Sequence, residues 1–244
     1  MLKNLLLIVA FLLAGCTQIS VPATDAQTIA CGQQDSLDGI DAVNLSRNAD
    51  YTRDAAVKIT DLTRSVSGSG TYLKYGDNYI ILTAAHVVRD SSVMVAYGEG
   101  SDAEFAKVIY TDHENDIAVL LTPELESRSS IKYRETPHDE VESLVGEEVY
   151  YTGFPAGHDA LTVDGRVIGA SSSGDILMHS YAWMGASGSG VYDRRGRLVG
   201  VLVAVDARRT PYDPYGMLPP QIIEDVVHVA PIWRLDEERL REAL

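Results

Sequence analysis

The sequence predicts an all-β fold of barrel or sandwich type, laid out as two β-rich halves and closed by a terminal helix. Three observations predict it. Short runs rich in β-branched and aromatic residues recur from Ala55 onward, each bounded by Gly, Asp, Asn or Ser. A polar, charged stretch from Thr122 to Ser143 divides those runs into two groups. The composition is that of a globular chain: of 244 residues, 45% are hydrophobic, 23% charged and 7% aromatic. That excludes collagen-like, low-complexity and wholly disordered proteins, and the length fits one two-part domain or two small ones.

The chain opens with MLKNLLLIVAFLLAGC. Lys3 is a short positive region and Leu5–Ala14 an apolar run of signal-peptide length, too short to span a bilayer well. The run ends in Leu13-Ala14-Gly15-Cys16, which resembles the lipobox of bacterial lipoproteins. The resemblance implies that residues 1–15 are removed and that the Cys16 sulfur carries a diacylglycerol. Only Cys16 and Cys31 are present, so a lipidated Cys16 leaves Cys31 without an intrachain partner. An exported domain of this kind folds without disulfides and rests on its core. Residues 16–50 are polar, without sustained periodicity, and are expected to form a flexible tether. Formal net charge is −15. Such a chain repels phosphate backbones, so no nucleic-acid partner is expected.

The first half, about residues 51–125, offers strands at Ala55–Thr60, Thr71–Tyr75, Tyr79–Thr83, Ser92–Ala96, Phe105–Tyr110 and Asp116–Leu121. The second, about 145–229, offers Glu148–Thr152, Leu161–Ala170, Asp175–His179, Gly190–Tyr192 and Leu198–Val205. Arg208–Pro220, rich in Pro, Tyr and Gly, reads as a loop. Residues 231–243, with Ile232, Trp233, Leu235 and Leu240 available to one side, read as an amphipathic helix.

Three short patterns carry chemistry. Thr83-Ala84-Ala85-His86 ends an apolar strand in a small-residue turn and a His. Asp116-Ile117-Ala118-Val119-Leu120 is an Asp opening an apolar strand. Gly185-Ala186-Ser187-Gly188-Ser189-Gly190 sets a Ser among glycines before another strand. A Ser hydroxyl is a poor nucleophile until a neighbouring base takes its proton, and an imidazole suits that task near neutrality. A carboxylate fixes the imidazole tautomer and stabilises its protonated form. Glycines around the Ser permit a tight turn whose amides converge, as an oxyanion hole requires.

In this order, T-A-A-H, D-I-A-V-L and G-x-S-G-S-G resemble the chymotrypsin/trypsin-like serine endopeptidases, most nearly the bacterial glutamyl endopeptidase and HtrA-type branches. The resemblance covers about Ala55–Leu244. It implies two six-stranded antiparallel β-barrels with the site in the cleft between them. His86 would be general base and acid, Asp116 the orienting carboxylate and Ser187 the nucleophile, with the Gly185 and Ser187 amides as oxyanion hole. The order His, Asp, Ser separates this family from subtilisin-like and α/β-hydrolase enzymes. Neither cofactor nor metal is expected; His138, His158, His179 and His228 show no metal-ligand spacing. Asp112, His113 and Glu114, beside Asp116, read as exposed turn residues. Ser189 reads as a loop-shaping residue.

The sequence departs from the family at several points. Many zymogen-type relatives carry an Asp just before the nucleophile, where a newly freed N-terminal amine pairs with it and orders the oxyanion loop. Here that position is Ala186, which forms no ion pair, and no Ile-Val-Gly-Gly-like start is present, so the loop must be ordered by other contacts or by substrate. The usual Pro after the second Gly is Gly190. By position, Val203, Ala204 and Val205 should border the primary pocket and pair with substrate backbone. Tyr181 stands where the family's Asp selects Lys or Arg, so cleavage after basic residues is disfavoured. Protein or peptide substrates follow from the resemblance, as does membrane attachment through Cys16. Thr17 after that Cys favours the outer membrane if the cell is Gram-negative. Unlike the HtrA branch, no separate peptide-binding module is expected. Two other functions fit the same motifs: a non-catalytic peptide-binding module, and an esterase using the same triad.

Overall fold

The computed structural model describes residues 47–62, 64–89, 91–98, 102–133, 138–208 and 221–244. The signal segment, Cys16, Cys31 and most of the expected tether and Pro/Tyr loop lie outside the described residues. A helix over residues 47–54 (α1) leads into the first strand, so the last residues of the expected tether are helical.

Seven strands follow: β1 (Ala56–Asp61), β2 (Val66–Tyr75), β3 (Asn78–Ala84), β4 (Val93–Tyr97), β5 (Ala103–Asp112), β6 (Ile117–Thr122) and the two-residue β7 (Ile131–Lys132). A single helical turn, α2 (Ala85–Val88), separates β3 from β4. They hydrogen-bond in the order β1-β4-β5-β6-β3-β2, and β1 also pairs with β2. That last pairing closes six antiparallel strands into a barrel, with β7 added in parallel on β2. β1 illustrates why: Val57 and Ile59 are buried while Lys58 and Thr60 between them are half-buried, the period-2 alternation of a one-sided strand.

The second barrel is β8 (Glu148–Gly153), β9 (Leu161–Ala170), β10 (Ile176–His179), β11 (Gly190–Asp193), β12 (Leu198–Arg208) and β13 (Gln221–Pro231), closed in the order β10-β13-β12-β11-β8-β9. β13 is a strand the sequence reading passed over. It runs antiparallel to both β12 and β10, with Val227 and Val229 fully buried.

The terminal helix is shorter than expected. Pro231 leads into a 3₁₀ turn at Ile232–Arg234, and α3 spans Glu237–Ala243. Asp236 caps it, its carboxylate accepting from Arg239 N at 3.0 Å, with Glu237 and Glu238 in the first turn, where negative charge suits the helix dipole.

One cluster of buried side chains fills the first barrel and continues into the junction, taking in Tyr150, Tyr192, Leu198 and Val201. A second, including Tyr151, Val167, Met178, Val199 and Val227, belongs to the second barrel. The junction between barrels is thus itself core, so residues mounted there are held by both halves.

Candidate active site

β3 ends at Ala84 and turns at once into α2, which presents His86. Across from it, the turn after β5 ends at Asp116, which adopts a left-handed φ of 54°. For a non-Gly residue that conformation is uncommon, and Asp tolerates it better than most. Three hydrogen bonds from α2 hold it there. Asp116 Oδ1 accepts from His86 N at 2.8 Å, Oδ2 meets His86 Nδ1 at 2.7 Å, and the Asp116 carbonyl accepts from Ala85 N at 3.1 Å. With Nδ1–H donated to the carboxylate, Nε2 is left as the proton acceptor.

Asp112 stabilises the same turn from its start. Its Oδ1 accepts from Glu114 N and Asn115 N, and its Oδ2 from Asn115 Nδ2 at 2.7 Å. Burial raises the Asp112 carboxyl, but the bonds from Asn115 and Glu114 outweigh it and the net shift is downward. Asp112 is therefore a staple of the turn that delivers Asp116, more than a merely exposed residue.

Ser187 comes from the second barrel, on the loop that enters β11. Its carbonyl accepts from Ser69 N of β2 at 2.8 Å. Gly68, next in β2, is where α2 and this loop converge: a Cβ there would fall 2.7 Å from Val87 Cγ1 and 3.0 Å from Ser187 O. The structure therefore brings His86 and Asp116 into direct contact and seats Ser187 on the other side of Gly68. Among the described residues the Ser187 hydroxyl itself makes no hydrogen bond.

The loop's amides divide in a telling way. Ala186 N donates to Trp183 O, Gly188 N to Leu202 O and Ser189 N to Ala186 O. Gly185 N and Ser187 N have no acceptor among the described residues. Two amides are thus left unpaired on one turn, either side of a buried Ala186, and unpaired backbone N–H groups are what an anion-accepting site needs. Gly185 takes φ 95° and Gly188 φ 89°, positions that only glycine fills without strain. The Met184 carbonyl accepts from Ala156 N at 2.7 Å, and the Gly185 carbonyl accepts from Ser69 Oγ at 2.7 Å.

Gly188 N and Ser189 O bond Leu202 of β12, and the β11 ladder reaches only Val201. From Val203 onward, the β11-side edge of β12 has no partner strand among the described residues. Val203 is buried at a register shift, Ala204 is exposed and Val205 half-buried. Tyr181 is 58% exposed and stacks on Trp183 at 6.2 Å, with its carbonyl held by Tyr151 Oη. Burial pushes the Tyr151 phenol far above its ordinary range. The Ser189 hydroxyl is buried with no hydrogen-bond partner among the described residues. No cluster of metal-ligating side chains gathers among the described residues.

Ser69 is the residue that sequence reading missed. Its signal was Gly68-Ser69-Gly70 in the middle of a strand, where glycines mark close backbone approach.

Residues 68–201 match the family model of the trypsin-like peptidase domain. Proteins described as serine protease HtrA-like in Staphylococcus aureus strains MRSA252 and USA300 are 27% identical over 199 residues, covering 74% of this chain. This chain spans about a quarter of those relatives' length, 25%. Among solved structures, the active form of the Rv3671c protease from M. tuberculosis aligns with a TM-score of 0.61 at 20% identity, covering 83% of this chain and 86% of that one. The serine endoprotease from Yersinia pestis aligns with a TM-score of 0.62 at 19% identity, covering 81% of this chain and 67% of that one. These likenesses establish a shared fold.

Proposed function

The chain belongs to the trypsin-like peptidase family; from that membership we propose that it is a serine endopeptidase working through an acyl-enzyme, and from its first sixteen residues that it is exported and lipid-anchored. The observation that carries the reading is the 2.7 Å bond between His86 Nδ1 and Asp116 Oδ2, set beside Ser187 at the barrel junction.

In this reading Ser187 Oγ attacks the carbonyl carbon of the scissile bond as its proton passes to His86 Nε2. The carbonyl electron pair moves onto oxygen, and the Gly185 and Ser187 amides receive that oxyanion. The intermediate collapses, the C–N bond breaks, and His86 returns the proton to the departing amine, leaving an ester on Ser187. Water then attacks, His86 takes its proton, and the acid is released as Ser187 Oγ is reprotonated. The Asp116 carboxylate holds the imidazole in the required tautomer throughout. Substrate would lie as an added strand along Val203–Val205. The unpaired β12 edge and the exposed Ala204 support this placement. The Leu13-Ala14-Gly15-Cys16 string supports lipidation and envelope attachment.

Fluorophosphonate labelling with peptide mapping tests the chemistry. We expect an adduct on Ser187 that is absent in Ser187→Ala and in His86→Ala. A folded wild type that takes no label would overturn the enzymatic reading in favour of a binding module. Hydrolysis of simple esters without any peptide cleavage would favour an esterase. Labelled palmitate incorporated by wild type and not by Cys16→Ser tests the anchor.

A further inference from the structure

We propose that Ser69 is the positioning residue of the oxyanion loop, performing with a neutral hydroxyl the ordering that a charged pair cannot perform here. The proposal rests on the endopeptidase reading above. Ala186, at the position where an acidic residue would take a counter-ion, is an alanine with no exposed surface. Some other group must hold the turn.

Ser69 is fully buried in β2 and uses its hydroxyl in both directions. Its Oγ donates to Gly185 O at 2.7 Å and accepts from Phe154 N at 2.8 Å. A hydroxyl has a single proton to give, and here it is committed to the oxyanion turn. Its backbone is equally engaged: Ser69 N donates to Ser187 O at 2.8 Å, and Ser69 O accepts from Thr83 Oγ1 at 2.7 Å. One residue thus grips the turn at Gly185 and at Ser187, the two residues whose amides are unpaired.

The Phe154 arm extends that grip. Two residues on, Ala156 N donates to Met184 O at 2.7 Å. Because the peptide unit is planar, fixing the Met184 carbonyl fixes the Gly185 N–H in the opposite direction. Ser69 ties down both the Gly185 carbonyl and the start of the segment that orients the Gly185 amide. Ala156 sits at φ 53°, a conformation non-Gly residues rarely hold unless their surroundings impose it. Removing the hydroxyl would release the turn to rotate its amides away from the oxyanion, without touching His86, Asp116 or Ser187.

The test uses probes that need no knowledge of the natural substrate. Wild type, Ser69→Ala and Ser69→Cys are compared for the rate of Ser187 phosphonylation by a fluorophosphonate and for the acylation burst with p-nitrophenyl acetate. The Cys variant keeps a donor at the same position, weaker and slightly larger, and stands in if the Ala variant does not fold. Misplaced oxyanion donors cost about 10- to 100-fold in rate. We expect that loss in the acylation rate constant for Ser69→Ala, an intermediate loss for Ser69→Cys, and ester binding within about twofold, since the donors act in the transition state. Rates within twofold of wild type in both variants, or losses that merely follow loss of fold, would overturn the proposal. The Gly185 amide resonance in ¹⁵N-glycine-labelled protein gives a readout independent of activity. If wild type fails to label, the enzymatic reading fails alone. A Gly185 resonance displaced in Ser69→Cys would then still support the positioning role, and an unmoved one would refute it.

Discussion

Replacing Gly188 by alanine tests the idea that the two barrels meet backbone to backbone at the site. Gly188 has φ 89°, and a Cβ there would collide with the Ser69 carbonyl oxygen and with Thr83 Oγ1. The first is backbone, held at 2.7 Å by the second, so neither gives way cheaply. Gly146 supplies the control: its φ is 90° and a Cβ would meet nothing within 4 Å. Both substitutions carry the same left-handed penalty, about 1–2 kcal/mol. Gly188→Ala adds overpacking of about 1–3 kcal/mol and the strained or broken Thr83 hydrogen bond, about 1 kcal/mol. The difference should be roughly 2–4 kcal/mol, or roughly 5–15 °C in melting temperature for a domain of this size. Thermal melts and urea denaturation of the two variants read it directly. Equal losses would refute the argument, since only crowding distinguishes the positions.

Other predictions follow from single contacts. Asp116→Asn keeps the shape but loses the carboxylate that orders the His86 tautomer; fluorophosphonate labelling should slow by about 10³- to 10⁴-fold with little change in melting temperature. Arg234 donates to Asp175 Oδ1 at 3.0 Å and to Ser173 O at 2.7 Å, in a largely buried corner shared with His228. Arg234→Ala should therefore cost about 1–3 kcal/mol in urea denaturation. Burial pushes the phenols of Tyr72 and Tyr150 up to about 12. The unfolded chain releases those protons near pH 10 and the folded one does not, so their contribution is complete below pH 10 and is lost as pH climbs to about 12. Stability should fall across that window, with a late step in tyrosinate absorbance that coincides with unfolding; a single smooth titration near pH 10 in the folded protein would contradict it.

The parts of the site legible in the sequence were those carried by short local patterns. His86 after an apolar strand, Asp116 before one and Ser187 among glycines each announce themselves within a few residues, and their order suggested two barrels. What escaped depends on distance. The Ser69 hydroxyl gains its role from partners 85 and 116 residues away, which no local window contains. β13 was hidden because Asp225 and His228 interrupt its apolar residues; its strand character comes from pairing on both sides, with β10 and β12. The helix boundary was readable in principle. Asp236 followed by two glutamates is an N-cap signal, but the apolar Ile232, Trp233 and Leu235 ahead of it drew the start too early.

α3 follows the second barrel in the chain, yet its partners belong to the first. Arg239 reaches Thr111 O across 128 residues, Tyr110 Oη receives Asp236 N across 126, and Tyr133 Oη donates to Glu237 across 104. Contacts of such separation are formed late, because loop closure must precede them. During synthesis, then, the first barrel stays unfinished until the residues of α3, Glu237–Ala243, have left the ribosome. A nascent chain stopped before Glu237 would present that barrel without its strap, leaving the surface that α3 covers open to proteases and to chaperones.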